Sequence, residues 1–175
     1  GHFLYPGPGY GGSCFPKDLS SLSTLASKYG HTSLIVDAVI KSNNQRFMKM
    51  CTKIERIIGN LSGKVIAVLG LTYKPNTDDI RDSPSIKIIN ILLSKHAFIR
   101  VYDPKAKISL ELKTQHKNLT FSDTAMHATT GADSILIATD WPEFSNLDFD
   151  SMLPQLRDPV IIDLRNMLDS KLITQ

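Results

Sequence analysis

The chain has 175 residues, 42% of them apolar and 21% charged. That is the make-up of an ordered globular protein with one large core or a core plus a satellite element, and it excludes a wholly disordered chain. The net charge of +3 is spread along the sequence, unlike the stripe or tail of a nucleic-acid binder. Two cysteines cannot staple a secreted scaffold, and no apolar run reaches the roughly 18–20 residues that span a bilayer. The first residues lack the layout of a secretion signal, so a reducing, cytoplasmic setting without membrane or nucleic-acid partners is expected.

Residues 1–13, GHFLYPGPGYGGS, carry too much glycine and proline for a helix or central strand and form a loop. Pro16 and Asp18 suit the start of a helix, with apolar positions at Leu19, Leu22, Leu25 and Ala26 and an end at Gly30. A longer helix follows over about residues 33–58. Ile35, Ala38, Val39, Phe47, Met50, Cys51, Ile54 and Ile58 line one stripe of it, suited to another element or a second copy of the chain. At Gly63 the character changes, which predicts a cysteine-loop and helical segment over 1–62 and an α/β domain over 63–175. Residues 64–70, KVIAVLG, read as a strand buried on both faces. Ser83 and Pro84 then open a helix, and 98–103 form the next strand. A helix near 123–130, a strand over 134–139, an amphipathic stretch over 149–156 and a strand over 159–164 continue the alternation. Four strands with intervening helices predict a Rossmann-like, doubly wound parallel sheet. Its ligand crevice would open at the carboxyl ends of the strands, near Tyr73, Lys74, Asp103, Thr139 to Trp141 and Asp163 to Arg165.

Gly7, Gly9 and Gly12 formally satisfy G-x-G-x-x-G, but a dinucleotide fingerprint needs a preceding strand, which is missing here. The same glycines instead deliver Cys14 to a helix N-terminus, where with Lys17 nearby a thiolate is favoured. Cys14 therefore reads either as a nucleophile or as a small buried hydrophobe, whereas Cys51 falls on the apolar stripe as a core residue. Asp18 reads either as a helix-start carboxylate or as a group that handles water near Cys14. The polar segment 72–82 follows a strand and precedes a helix, a good place for a phosphate or sugar, although Lys74 and Arg81 would equally suit solvent. Arg165 is a candidate ligand contact or a partner of Asp163. The histidines show no metal-binding spacing, and Trp141 and Phe144 read as packing groups.

Phe3-Leu4 followed by Gly9-Tyr10-Gly11-Gly12-Ser13-Cys14-Phe15-Pro16-Lys17-Asp18 resembles the active-site cysteine motif of the UDP-glucose 6-dehydrogenases within the nucleotide-sugar dehydrogenase family. The resemblance continues in family order through residues 70–81, Tyr102-Asp103-Pro104-Lys105, Thr139 to Phe144 and Asp163-Leu164-Arg165, and so covers nearly the whole chain. It implies an NAD-dependent, two-step oxidation of UDP-glucose to UDP-glucuronate with Cys14 as the covalent nucleophile. By matching positions, Asp18 would assist water or proton handling, and Lys17 and Arg81 would approach NAD. Phe3, Leu4, Gly11, Phe15, Tyr73, Lys74 and Arg165 would contact the UDP-sugar. The resemblance also implies a homodimer through the long helix and an NAD-binding domain that precedes this portion, so the chain is expected to be an inactive part of a longer enzyme. Tyr5 and Gly7 depart from the lysine and serine of other members. Two alternatives stand beside this reading. One is a dehydrogenase of an N-acetylated UDP-hexosamine, whose motif is closer to G-G-H-C-I-P-V-D, against which Ser13, Phe15 and Lys17 argue. The other is a non-catalytic UDP-sugar-binding or dimerisation module.

Overall fold

A computed structural model describes residues 5–106 and 116–169. Residues 5–13 run without helix or strand into helix α1 (Phe15–Lys28), with Cys14 as its N-cap residue and Pro16 in its first turn. Gly30 takes the left-handed conformation that ends it. Helix α2 (Leu34–Ile58) stops at Gly59. The chain then enters β1 (Val65–Leu69), α3 (Pro84–Ser94), β2 (Phe98–Tyr102) and β3 (Leu119–Phe121). These are followed by α4 (Ala125–Thr129), β4 (Ser134–Ile137), α5 (Phe149–Met152) and β5 (Ile161–Asp163), with short 3₁₀ turns at Pro142–Asn146 and Leu153–Gln155.

The described residues form a five-stranded sheet in the order β3-β2-β1-β4-β5. Every neighbouring pair is parallel, with Leu69 beside Tyr102 and Ile137 beside both Leu69 and Asp163. The architecture is therefore the predicted α/β, Rossmann-like one, with one strand more than the four expected. The extra strand, β3, is a three-residue edge strand in which only Leu119 is buried, too short to leave a periodic signal in the sequence.

Alternation along β1 builds the two faces of the fold. Ile66 and Val68 point into a core shared with Ile54, Ile88, Leu92, Ile99, Leu136 and Ile162. Ala67 and Leu69 face a second core with Ala128, Ile135, Ile137, Trp141 and Phe144. Helices thus cover both sides, which explains why β1 and β4 read as continuous apolar runs. Ser83 caps α3 by accepting from the Ser85 amide at 3.2 Å, and its hydroxyl donates to the Leu71 carbonyl at 2.6 Å.

The stripe predicted along α2 is divided. Phe47, Cys51 and Ile54 are buried in the core on the α3 side of the sheet, but Leu34 and Ile35 are 75% and 80% exposed. Helix α1 buries no residue at all. No helix among the described residues is long and apolar enough to cross a membrane.

Candidate active site

The order reverses between β1 and β4, so the crevice of this sheet lies beyond Leu69 and Ile137. Gly70 sits at that point with φ +98°, and a Cβ there would lie 2.5 Å from that of Thr139. The Thr139 hydroxyl crosses the gap and donates to the Thr72 carbonyl at 2.6 Å. From this join the chain departs through Tyr73 and Lys74, whose ammonium stands 5.3 Å from the centre of the Tyr73 ring.

Seven residues on, Arg81 grips Asp79 with two nitrogens at 2.9 and 2.7 Å, while its own amide donates to the same carboxylate at 2.9 Å. These hydrogen bonds hold the Asp79 carboxyl down to about 2. The Arg81 side chain is 71% exposed, so the clamp holds a cation toward open space.

The cysteine loop lies between this segment and α2. On one side, the buried Asn43 carboxamide accepts from the Tyr10 amide at 3.0 Å and donates to the Tyr10 carbonyl at 3.1 Å. Arg46 donates from Nε to the Gly7 carbonyl at 2.7 Å. On the other side, Gly12 has φ +93°, and a Cβ there would come 2.8 Å from the Tyr73 ring. Gly11 leaves no room for a side chain beside the Asp82 carbonyl and Pro84. The glycines are thus required by close approach to named neighbours, not by flexibility.

Cys14 emerges from this loop exposed, with its sulfur 3.7 Å from the Ser13 hydroxyl and its carbonyl accepting from the Asp18 amide at 2.9 Å. Phe15 packs edge-on against Tyr10, ring centres 4.9 Å apart. Lys17 and Asp18 form an exposed pair at 2.6 Å. Asp18 is the main cause of the raised Lys17 pKa and Asp79 of the raised Arg81 pKa, and the Cys14 sulfur adds to both. Two cations therefore lie within electrostatic reach of this thiol. Cys51 contrasts with it: burial pushes its thiol up to about 11, as expected of a core residue.

Arg165 corrects one expectation. Its guanidinium pairs with Asp140 at 2.7 Å and not with Asp163, which accepts backbone amides from Arg165, Met167 and Leu168. Asp163 is spent closing the turn after β5. The guanidinium instead reaches across the strand ends to Gly7, where an added Cβ would lie 3.0 Å from its Nη1. The structure thus places Gly11, Cys14, Phe15, Lys17, Asp18, Tyr73, Lys74, Arg81 and Arg165 on the cysteine loop, the start of α1 and the segments that follow β1 and β5, whereas Phe3 and Leu4 lie outside the described residues. Sequence reasoning placed Asp140 at the crevice without its pairing to Arg165 and missed Asn43 and Arg46. A signal existed for Asn43, a polar residue in register with Val39 and Phe47 on an apolar stripe, but none existed for Arg46.

The chain is similar to known proteins over nearly its whole length. Residues 67–170 match the UDP-binding domain, and residues 1–45 the central domain, of the UDP-glucose/GDP-mannose dehydrogenase family. A UDP-glucose 6-dehydrogenase of Rickettsia conorii is 45% identical over 171 residues, which is 97% of this chain and 40% of that protein. A UDP-glucose dehydrogenase structure from Pyrobaculum islandicum superposes with a TM-score of 0.77 at 32% identity, over 91% of this chain and 35% of that one. A UDP-D-ManNAc dehydrogenase structure from Pyrococcus horikoshii gives 0.76 at 31% identity, over 94% and 37%. The chain thus spans about 40% of the length of the curated relative it matches. With both family models in chain order and the cysteine loop seated against the segment that follows β1, the chain belongs to the UDP-glucose/GDP-mannose dehydrogenase family.

Proposed function

We propose that this chain is the catalytic-cysteine and UDP-sugar-binding part of a UDP-glucose 6-dehydrogenase, which converts UDP-glucose to UDP-glucuronate. The observation that carries the reading is the exposed Cys14, held at the tip of α1 by a loop wedged between α2 and Tyr73. Oxidising one carbon twice calls for a covalent hold between the steps, and a thiolate supplies it. When bound, NAD supplies the acceptor for the two hydrides removed from that carbon. The Cys14 sulfur adds to the carbonyl carbon of the aldehyde, and the oxygen takes a proton to give a thiohemiacetal. Loss of the second hydride from carbon, together with the hydroxyl proton to water, leaves a thioester. Water then attacks its carbonyl, the C–S bond breaks, and the carboxylate leaves while Cys14 returns as thiolate. Asp18, one helical turn from Cys14, is the group proposed to orient that water or take its proton.

Lys74 and Arg165 suit the diphosphate as cations at the strand ends, with Tyr73, Phe15, Phe3, Leu4 and the Gly11 backbone around the rest of the UDP-sugar. Arg81 and Lys17, exposed beside Cys14, suit one edge of NAD, whose main contacts are proposed to lie outside these residues. Residues 63–175 serve as the UDP-binding domain and 1–62 as the cysteine-loop and helical segment. The unburied apolar side chains of α1 and of the first half of α2 support a homodimer formed through the long helix. Two free cysteines suit a cytoplasmic setting.

The similarity to a UDP-D-ManNAc dehydrogenase structure favours a second reading, oxidation of an N-acetylated UDP-hexosamine. Alkylation of Cys14 in the 175-residue chain separates the two. UDP-glucose is expected to slow the reaction at least several-fold, more effectively than UDP-N-acetylmannosamine. An unchanged rate at millimolar UDP-glucose sinks the proposal, and the reverse order of protection moves it to the second reading. NADH formation by these residues alone would refute a dinucleotide site outside them.

A further inference from the structure

In doubly wound sheets the backbone amides that follow β1 at the reversal of strand order are the usual cradle for a ligand phosphate. Here the Leu71 and Thr72 amides stand at that position and already hold an anion. Asp103, the residue after β2, places Oδ2 at 2.7 Å from the Leu71 nitrogen and 3.2 Å from the Thr72 nitrogen. The same oxygen accepts from the Thr72 hydroxyl at 3.4 Å and from the Trp141 indole nitrogen at 3.2 Å. Oδ1 accepts from the Lys105 and Ala106 amides at 2.9 and 2.8 Å. One carboxylate therefore ties the end of β1 to the end of β2 and to the residues beyond β4. Thr72 is held a second time, by Thr139 on its carbonyl, and the next two residues are Tyr73 and Lys74.

We infer that Asp103 is a positioning residue: its carboxylate fills the anion position of the sheet from within the chain and thereby fixes Tyr73 and Lys74 for the UDP-sugar, an inference that rests on the function proposed above for those two residues. A ligand diphosphate cannot take the Leu71 and Thr72 amides while Asp103 holds them, so it must be met by side chains, and Lys74 leaves the knot directly. A carboxylate with several N–H donors is bound by charge-assisted hydrogen bonds, which outweigh neutral ones.

The single tryptophan of the chain is Trp141, 4% exposed and bonded to Asp103, so its fluorescence reports on the knot without any ligand. In the 175-residue chain, Asp103→Ala is expected to shift Trp141 emission to longer wavelength and to weaken UDP binding about tenfold or more, as titration calorimetry would read. Formate, small enough for the gap, should reverse both effects, whereas chloride at equal ionic strength should reverse neither. Asp103→Asn keeps one carbonyl acceptor and loses the charge, and should weaken binding by about threefold. It decides the matter if the alanine variant does not fold, with shielding of Cys51 from thiol reagents as the check on folding. A folded Asp103→Ala chain that binds UDP within twofold of wild type overturns the positioning role, and unaltered Trp141 emission overturns the knot. Should the wild-type chain fail to bind UDP while the emission shift and its rescue by formate appear, the functional reading of Tyr73 and Lys74 falls and the anion knot stands.

Discussion

Residues 5–45 and the sheet that follows are held by different forces. The sheet and the helices on its two faces bury Ile54, Ile66, Leu92, Ile135 and Phe144 almost completely, and their order comes from apolar area removed from water. Helix α1 buries nothing, and the cysteine loop is fixed mainly by hydrogen bonds from Asn43 and Arg46 to its backbone. The first region is therefore poor in packing and rich in directed polar contacts. That suits a site where a thiol must stay open to a ligand while its backbone is held in place. The two cysteines report the difference, since Cys14 lies in one region and Cys51 in the other.

The largest expected effect follows from those thiols. Cys14 should react with iodoacetamide at the rate of an open thiol, and Cys51, 1% exposed, only when the core opens, at least about a hundredfold more slowly. Mass spectrometry of the labelled chain would measure both. Comparable rates would mean that the sheet core is not the better-ordered region. In a longer enzyme carrying these residues, Cys14→Ser should abolish turnover, whereas Cys51→Ser should leave the rate within about tenfold, because Cys51 shapes packing and touches no reacting atom.

Next in size is the energetic contrast. Ile54→Ala removes a fully buried side chain from the core beneath β1 and should cost about 2–5 kcal/mol in urea unfolding. Leu25→Ala, at a side chain 52% exposed on α1, should stay within about 0.5 kcal/mol. If the two costs were equal, α1 would be packed against something that these residues do not contain, such as a second copy of the chain, and the loss at Leu25 should then depend on protein concentration.

How much of this was legible in the sequence also differs between the two regions. Two strands were readable because burial on both faces leaves long apolar runs, as in 64–70 and 134–139, two more as shorter β-branched runs, and the helices from apolar periodicity and their end residues. The strand Leu119–Phe121 left none. The position of Cys14 was readable because glycines and a helix-start proline constrain the backbone locally. What could not be read were contacts between distant strand ends. Whether Arg165 meets Asp163, two residues away, or Asp140, in the loop after β4, depends on how the turns after β4 and β5 aim their side chains. Nothing in spacing reports that. The six donors that converge on Asp103 come from three short segments, 71–72, 105–106 and Trp141, and only the fold brings them together.

The smallest effect tests whether the polar region is as well ordered as its geometry implies. The Asp79 carboxyl is held down to about 2 by Arg81, and a depressed carboxylate contributes to stability above its unfolded value, that contribution being lost as pH falls through the folded one. The grip on Arg81 should therefore persist unchanged through the neutral range and loosen only below about pH 4, with a carboxyl NMR titration midpoint near 2. Arg81→Gln removes the first cause of the shift and should return the midpoint toward the ordinary value of about 3.9, with little loss of global stability because the Arg81 side chain is 71% exposed. If the wild-type midpoint already lay at the ordinary value, Arg81 would be free of its clamp, and the segment between Tyr73 and Ser83 would owe its shape to Asp103 and Ser83 at its two ends and to the bonds of the Asp79 backbone with Tyr73 and Thr77.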